Sequence, residues 1–295
     1  MADELVRSAS LDALPPPEIA RKAERVGVEK AGLDALTTFA LGVLAGAFIA
    51  LGAAFATTTG AGSAAMPFGV ARLLAGLTFS LGLILVVVAG AELFTGNNLI
   101  VMAWAGRRVS TARLLRNWAI VYAGNFVGAI ATAAIVFAGK QYTFGHGEVG
   151  RQALSIAAAK TSLGFGQAIA LGALCNALVC LAVWLTYGAR TTADKILAVI
   201  PPIAAFVATG FEHSVANMYF IPYGLFVKAD SGFVDSLARP PDLSNLTWGR
   251  FVWANLVPVT IGNVLGGALM VGAVYWFVYL RRRPSSEVTA SGGGG

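Results

Sequence analysis

Two short polar motifs interrupt long apolar stretches of this chain at matching places. Residues 90–97 read GAELFTGN and residues 210–217 read GFEHSVAN, so both fit the pattern G-x-E-x-x-x-x-N. A carboxyl group inside a bilayer-spanning segment is costly unless it faces protein, a partner group or water. The second motif adds His213, whose imidazole can change protonation near neutral pH. The two motifs therefore predict acid–base and hydrogen-bond chemistry at two breaks in spanning helices.

The composition around these motifs is that of a membrane protein. The 295 residues are 57% hydrophobic and only 12% charged, whereas a soluble domain carries about 25% charged residues. Any single apolar stretch has a buried core helix as its alternative, but six in series predict an all-α, multi-pass membrane protein. The six stretches lie near 35–56, 73–102, 118–139, 162–187, 196–226 and 251–280.

Further similarities indicate an internal repeat. Residues 41–51 (LGVLAGAFIAL) match 171–181 (LGALCNALVCL) at five of eleven positions, and GNFVGA at 124–129 resembles GNVLGG at 262–267. Spans one to three therefore correspond to spans four to six. Because three is an odd number, we expect two inverted three-helix repeats whose second and fifth helices are broken, with a transport pathway between them.

We divide the chain into three parts. The first 34 residues lack the apolar core of a signal peptide. Their Pro-rich start predicts a short amphipathic helix, in a cytoplasmic tail or against the pore mouth. A transmembrane domain follows at 35–283, with repeats at 35–139 and 160–283, and then a flexible tail at 284–295.

Basic residues set the expected orientation. With the N-terminus inside, the inner segments hold fourteen Lys and Arg residues and the outer loops hold seven. The positive-inside rule then predicts that both termini are cytoplasmic, and we expect the protein in the inner (plasma) membrane. The net charge of +6 follows from this topology, and we expect no nucleic-acid partner.

Helix breaks expose backbone N–H groups and the ends of helix dipoles, which attract a small anion near the membrane midplane. His213 is either a satisfied structural residue or a functional group, and its place at a break favours function. Thr95 supplies a hydroxyl at the equivalent break. The polar residues Glu92, Asn97, Glu212 and Asn217 are predicted to hold the breaks together.

Other polar residues leave two interpretations open. Buried amides need partners in lipid, so Asn176 and Asn263 either bond neighbouring helices or line the pathway. Lys160 is either a boundary anchor or a charge that concentrates anions in a vestibule.

Two other classes of protein are alternatives to an anion transporter. A metal site needs three or four converging ligands, but the apolar spans hold one His, and Cys175 and Cys180 are interpreted as packing residues. No nucleotide or cofactor motif occurs, so we expect no metal, no cofactor and no enzyme. A facilitator of neutral solutes remains the alternative from another class.

The chain resembles the formate/nitrite transporter family. The resemblance covers about 15–283 and rests on residues 91–96, 173–184, 210–218 and 259–263. It implies an aquaporin-like fold, a homopentamer with one pore in each subunit, and an Ω-shaped loop at the first break. It also implies that His213 and Thr95 form the central polar pair and that Lys160, Asn176 and Asn263 lie around the pore. The implied constriction consists of Phe79, Leu83, Leu93 and Phe206.

The substrate implied by the resemblance is a small monovalent anion. Residues 57–60, 66–69 and 220–222 resemble the formate branch, whereas 92–96 resemble the nitrite branch, so formate is favoured, with nitrite or hydrosulfide as alternatives. Formate crosses either as the neutral acid, with a proton supplied from or through His213, or as an anion stabilised by His213 and the helix dipoles.

Overall fold

The computed structural model describes residues 12–281, so the sequence predictions for residues 1–11 and 282–295 lie outside the described part. Residues 12–281 form helices and connecting turns, without strands. The helices are α1 Pro16–Gly32, α2 Ala35–Gly60, α3 Phe68–Leu85, α4 (the consecutive pieces Phe94–Asn97, Asn98–Ile100 and Val101–Ala105), α5 Thr111–Ala138, α6 Glu148–Thr161, α7 Phe165–Gly188, α8 Thr192–Thr209, α9 Ser214–Ala229, α10 Ser231–Ser236 and α11 Trp248–Tyr279.

Six helices are long and apolar enough to cross a membrane, as predicted. They are α2, α3 with the wide turn that continues it to Gly90, α5, α7, α8 and α11. The shorter α4 and α9 follow α3 and α8 directly. The predicted stretches 73–102 and 196–226 are therefore each a spanning helix, a break and the start of a half-helix, which confirms the broken second and fifth helices.

Glycine ends the helix at both breaks. Gly90 has φ +83° and Gly210 has φ +79°, a left-handed conformation that terminates helices and that residues with a Cβ rarely adopt. The chain then runs extended through Leu93 and His213 before the half-helices begin. These extended pieces are tied to the first span of each repeat, because the Glu92 and Glu212 N–H groups each donate to a carbonyl 3.2 Å away, in α2 and α7 respectively.

Small residues let the paired spans touch backbone to backbone. A Cβ on Gly128 of α5 would lie 2.0 Å from the Val43 carbonyl oxygen of α2. A Cβ on Gly266 of α11 would lie 2.0 Å from the Ala173 carbonyl oxygen of α7. The matching close approaches in the two halves place α2 against α5 and α7 against α11, as small-residue packing in membranes predicts.

A short helix lies before the first spanning helix of each half. Helices α1 and α6 precede the first span of each half and end in Lys30 and Lys160, which pair with Glu92 and Glu212. Helix α1 is also held against the end of α7, where Lys22 Nζ donates to the Tyr187 carbonyl at 2.8 Å. Helix α1, which lies within the predicted N-terminal segment 1–34, therefore packs against the spanning helices. Its amphipathic sequence carries no span-length hydrophobic signal that would show this contact.

Candidate functional site

The two breaks meet at a single polar contact. His213 precedes the first residue of α9 and Thr95 lies in the first turn of α4, and both side chains are buried. His213 Nε2 lies 2.9 Å from Thr95 Oγ1. The fold thus brings together the two residues that the sequence assigned to the central polar pair.

Hydrogen bonding defines the tautomer of His213. Its Nδ1 accepts from the Ala216 backbone N–H at 3.0 Å and caps α9. A backbone N–H can only donate, so Nδ1 carries no proton in this arrangement. The ring is then neutral with its proton on Nε2, which donates to Thr95 Oγ1. Protonation of Nδ1 would break the bond to Ala216.

An amide in α5 fastens the first break. Asn125 Oδ1 accepts from the Phe94 N–H at 2.9 Å. Its Nδ2 donates to the carbonyls of Gly42 at 2.8 Å and Glu92 at 2.9 Å. One side chain therefore satisfies backbone groups that the helix break leaves free in an apolar environment.

Asn263 in α11 makes the same three bonds at the second break. Its Oδ1 accepts from the Ser214 N–H at 2.9 Å, and its Nδ2 donates to the carbonyls of Gly172 at 2.8 Å and Glu212 at 2.9 Å. The side chain is fully buried. Its role in this arrangement is to hold the backbone on either side of His213.

Asn176 of α7 lies behind Thr95. Its Nδ2 donates to the Asn263 carbonyl at 2.7 Å, to Asn98 Oδ1 at 2.9 Å and to the Thr95 carbonyl at 3.3 Å. The Cys180 thiol also contacts the Thr95 carbonyl, at 3.3 Å. Asn176 thus bonds neighbouring helices, the first of the two roles considered for it. Among the described residues, neither Asn176 nor Asn263 lines the cavities on the two sides of the site.

Each carboxylate sits in a network at its break. Glu92 Oε1 is 2.5 Å from Lys30 Nζ, and Glu92 Oε2 accepts from Asn97 Nδ2 at 2.6 Å. Asn97 Nδ2 also donates to Asn117 Oδ1 at 2.9 Å. A buried charge is tolerable when it is paired and hydrogen-bonded in this way.

The second network repeats the first. Glu212 Oε1 is 2.7 Å from Lys160 Nζ, and Glu212 Oε2 accepts from Asn217 Nδ2 at 2.7 Å. Asn217 Nδ2 also donates to Asn255 Oδ1 at 2.7 Å. Lys30 was not among the predicted site residues; its only signal in the sequence is its position near the end of a short helix, as for Lys160.

Two open cavities flank the central contact. The α6-side vestibule has a volume of about 420 Å³ and the α1-side vestibule about 330 Å³. Lining residues of the α6-side vestibule include Arg72, Phe79, Lys160, Phe206, Glu212 and His213. Lining residues of the α1-side vestibule include Lys30, Leu83, Glu92, Leu93 and Asn97.

Apolar side chains lie beside the polar pair on the walls of both vestibules. The rings of Phe79 and Phe206 meet edge to face with centroids 5.6 Å apart, and Phe206 stacks on His213 at 5.9 Å. Leu83 lies about one turn further along α3 and, with Leu93, faces the other vestibule. Of the four residues predicted to form the constriction, Phe79 and Phe206 thus line the α6-side vestibule, and Leu83 and Leu93 line the α1-side vestibule.

Groups of three or more His, Cys, Asp and Glu side chains that could hold a metal ion are not found in residues 12–281. Cys175 and Cys180 are buried free thiols. The side chains at the breaks can form hydrogen bonds, attract or repel charges, and transfer protons.

Comparisons with known proteins agree with this geometry. The sequence profile of the formate/nitrite transporter family matches residues 17–277. The chain is 44% identical over 273 residues to the formate channel FocA of Escherichia coli (strain K12), covering 92% of this chain and 96% of that protein. It is 42% identical over 275 residues to FocA of Haemophilus influenzae, with the same two coverages.

Solved structures lead to the same conclusion. A pentameric formate channel with formate bound superposes with a TM-score of 0.79 at 42% identity, covering 84% of this chain and 98% of that one. An ion channel described as a member of the FNT family superposes with a TM-score of 0.75 at 29% identity, covering 88% and 98%. With two inverted repeats, two broken helices and a profile that spans nearly all the described residues, this chain belongs to the formate/nitrite transporter family.

Proposed function

We propose that this protein is a membrane channel that carries formate. The observation that carries the proposal is the 2.9 Å contact between His213 and Thr95 at the meeting point of two broken helices, with an open vestibule on either side. Relatives at 44% and 42% identity over 92% of this chain are named formate channels. The same relatives favour formate over nitrite and favour a channel over an enzyme.

The route follows from the lining residues. An anion enters one vestibule, passes Phe79 and Phe206, meets His213 and Thr95, and leaves past Leu83 and Leu93. A bare anion in the apolar constriction loses its hydration at a large cost. The first turns of α4 and α9 start at the breaks, so their dipoles and the Nε2–H of His213 offset part of this cost.

Proton-coupled transport requires a particular change of protonation at His213. The neutral imidazole with its proton on Nε2 is a hydrogen-bond donor but a poor acid. To supply a proton to formate, His213 must first bind one at Nδ1, which requires the Ala216 N–H to be released. We propose that this exchange, together with the loss of the Thr95 bond, distinguishes passage as neutral formic acid from passage as the anion.

The proposed assembly is inferred from a similar channel, and the proposed location is inferred from the distribution of charge. The pentameric state of the similar formate channel supports a homopentamer here, each subunit carrying its own pathway. The excess of Lys and Arg on one side supports cytoplasmic termini and insertion in the inner membrane. In that orientation the α6-side vestibule faces outward.

The test is flux into proteoliposomes with formate, nitrite, hydrosulfide and chloride, following internal pH and membrane current together. Formate uptake with one proton and no net current supports neutral-acid passage, and formate current without proton movement supports an anion channel. Uptake of nitrite well ahead of formate would replace the substrate. Failure to carry any weak acid, with rapid passage of water or small neutral solutes, would replace the proposal with a neutral-solute facilitator.

A further inference from the structure

Arg72 is a charged residue that lines the pathway and was not among the predicted site residues. It lies in the second turn of α3, is half-buried, and lines the α6-side vestibule. Its Nε donates to the Ala208 carbonyl at 3.1 Å, and its Nη2 donates to the Val207 carbonyl. Both acceptors belong to the last turn of α8, directly before the break at Gly210.

These contacts fix the guanidinium without neutralising it. The last carbonyls of a helix have no partner within the helix and carry partial negative charge, which suits a cation. A partial charge does not cancel a full one. The ion pairs Lys30–Glu92, Arg151–Glu148 and Lys160–Glu212 do not include Arg72. The Glu212 carboxylate acts on Arg72 electrostatically, but its ion pair is with Lys160.

The two vestibules therefore differ in net charge. Among the described lining residues of the α6-side vestibule, Arg72 and Lys160 carry positive charge and Glu212 carries one negative charge, which leaves one positive charge. The described lining of the α1-side vestibule holds Lys30 and Glu92, which cancel. The two halves match at the lysine, the glutamate and the asparagines, so Arg72 is what makes their charge unequal.

We propose that Arg72 concentrates the permeating anion in the α6-side vestibule and makes entry from that side faster and more salt-sensitive than entry from the other. This inference rests on the proposed anion flux. A unit charge about 5 Å from an anion in water changes its local concentration about fourfold, and salt screens the effect. Lys160 contributes less to this field because Glu212 neutralises it at 2.7 Å.

The experiment measures initial formate uptake in uniformly oriented proteoliposomes, α6 side outward, at about 10 mM and about 1 M of an impermeant salt. Arg72→Gln keeps a hydrogen-bond donor without the charge and should lower uptake about fourfold at low salt but hardly at high salt. Arg72→Lys keeps the charge without the two-pronged contact to α8 and should stay close to the unmodified channel. Arg239→Gln is the matched control, because Arg239 is an exposed residue that lines a different cavity.

Several results would overturn the inference. Equal uptake by Arg72→Gln and the unmodified channel at low salt removes the charge role, and equal impairment of Arg72→Lys and Arg72→Gln assigns Arg72 to holding α8 alone. If Arg72→Gln does not fold, the unmodified channel decides, because equal salt sensitivity from the two sides contradicts the proposal. Absence of formate uptake by the unmodified channel refutes the proposed function instead.

Discussion

Replacing Asn263 with alanine tests whether one buried amide holds the second break in place. The substitution removes three hydrogen bonds, to the Ser214 N–H at 2.9 Å, the Gly172 carbonyl at 2.8 Å and the Glu212 carbonyl at 2.9 Å. Interhelical hydrogen bonds in membranes contribute about 0.6 kcal/mol on average and about 1.7 kcal/mol at most. Three such bonds give an expected loss of about 2–5 kcal/mol in the free energy of unfolding.

The Asn263→Ala substitution should also disturb the transport pathway. Ser214 and Glu212 flank His213 directly, so freeing their backbone groups lets the His213–Thr95 contact drift from its 2.9 Å separation. We expect formate flux to fall in Asn263→Ala even under conditions in which the protein stays folded.

The assay is denaturant unfolding in mixed micelles together with formate uptake. Asn125→Ala serves as a positive comparison, because its three bonds at the first break have the same lengths. Asn245→Ala is the control, since that loop amide makes one bond of 3.3 Å to Ser162 Oγ. An unfolding free energy for Asn263→Ala within about 0.5 kcal/mol of the control would refute the reasoning.

Three further substitutions have distinct expected outcomes. His213→Phe removes both the contact to Thr95 and the cap of α9, so proton-coupled uptake should disappear; a pH dependence of formate uptake like that of the unmodified channel would exclude His213 from the mechanism. Phe79→Ala opens the aromatic closure against Phe206, so the ratio of formate to chloride uptake should fall, and an unchanged ratio argues against a constriction. Tyr219→Phe removes a buried hydroxyl that has no hydrogen-bond partner among the described residues, so the free energy of unfolding should stay constant or rise; a loss above about 1 kcal/mol would mean that the hydroxyl is bonded.

Six spans and two breaks could be predicted from the sequence because insertion into a membrane depends on the hydrophobicity summed over a short segment. A span needs about 20 apolar residues, and a carboxylate within one, such as Glu92 or Glu212, is costly and favours an interruption or a buried partner. The G-x-E-x-x-x-x-N repeat also placed His213 and Thr95 at equivalent breaks. Span length and the polar motif are properties of short segments, so they can be identified in a single sequence.

The packing of α1 and α6 against the two repeats could not be predicted from the sequence, because both helices are short and polar. Their hydropathy resembles that of ordinary tails and loops. Their contacts with the repeats, such as the ion pairs of Lys30 and Lys160 with distant glutamates, are seen in the structure. The chain between Lys30 and Glu92 contains two whole spanning helices, α2 and α3, and no local pattern records which residues meet across them.

The composition and spacing of the sequence thus determined the fold class, the repeat and the residues at the breaks. Tertiary structure decided their partners: the proton position on His213, the backbone bonds of Asn125 and Asn263, and the charge of Arg72 in only one vestibule. The physical reason is that hydrophobicity adds up along the chain, whereas a hydrogen bond or an unpaired charge depends on the distance and angle between groups far apart in sequence, which are set by the close packing of glycine-lined helices.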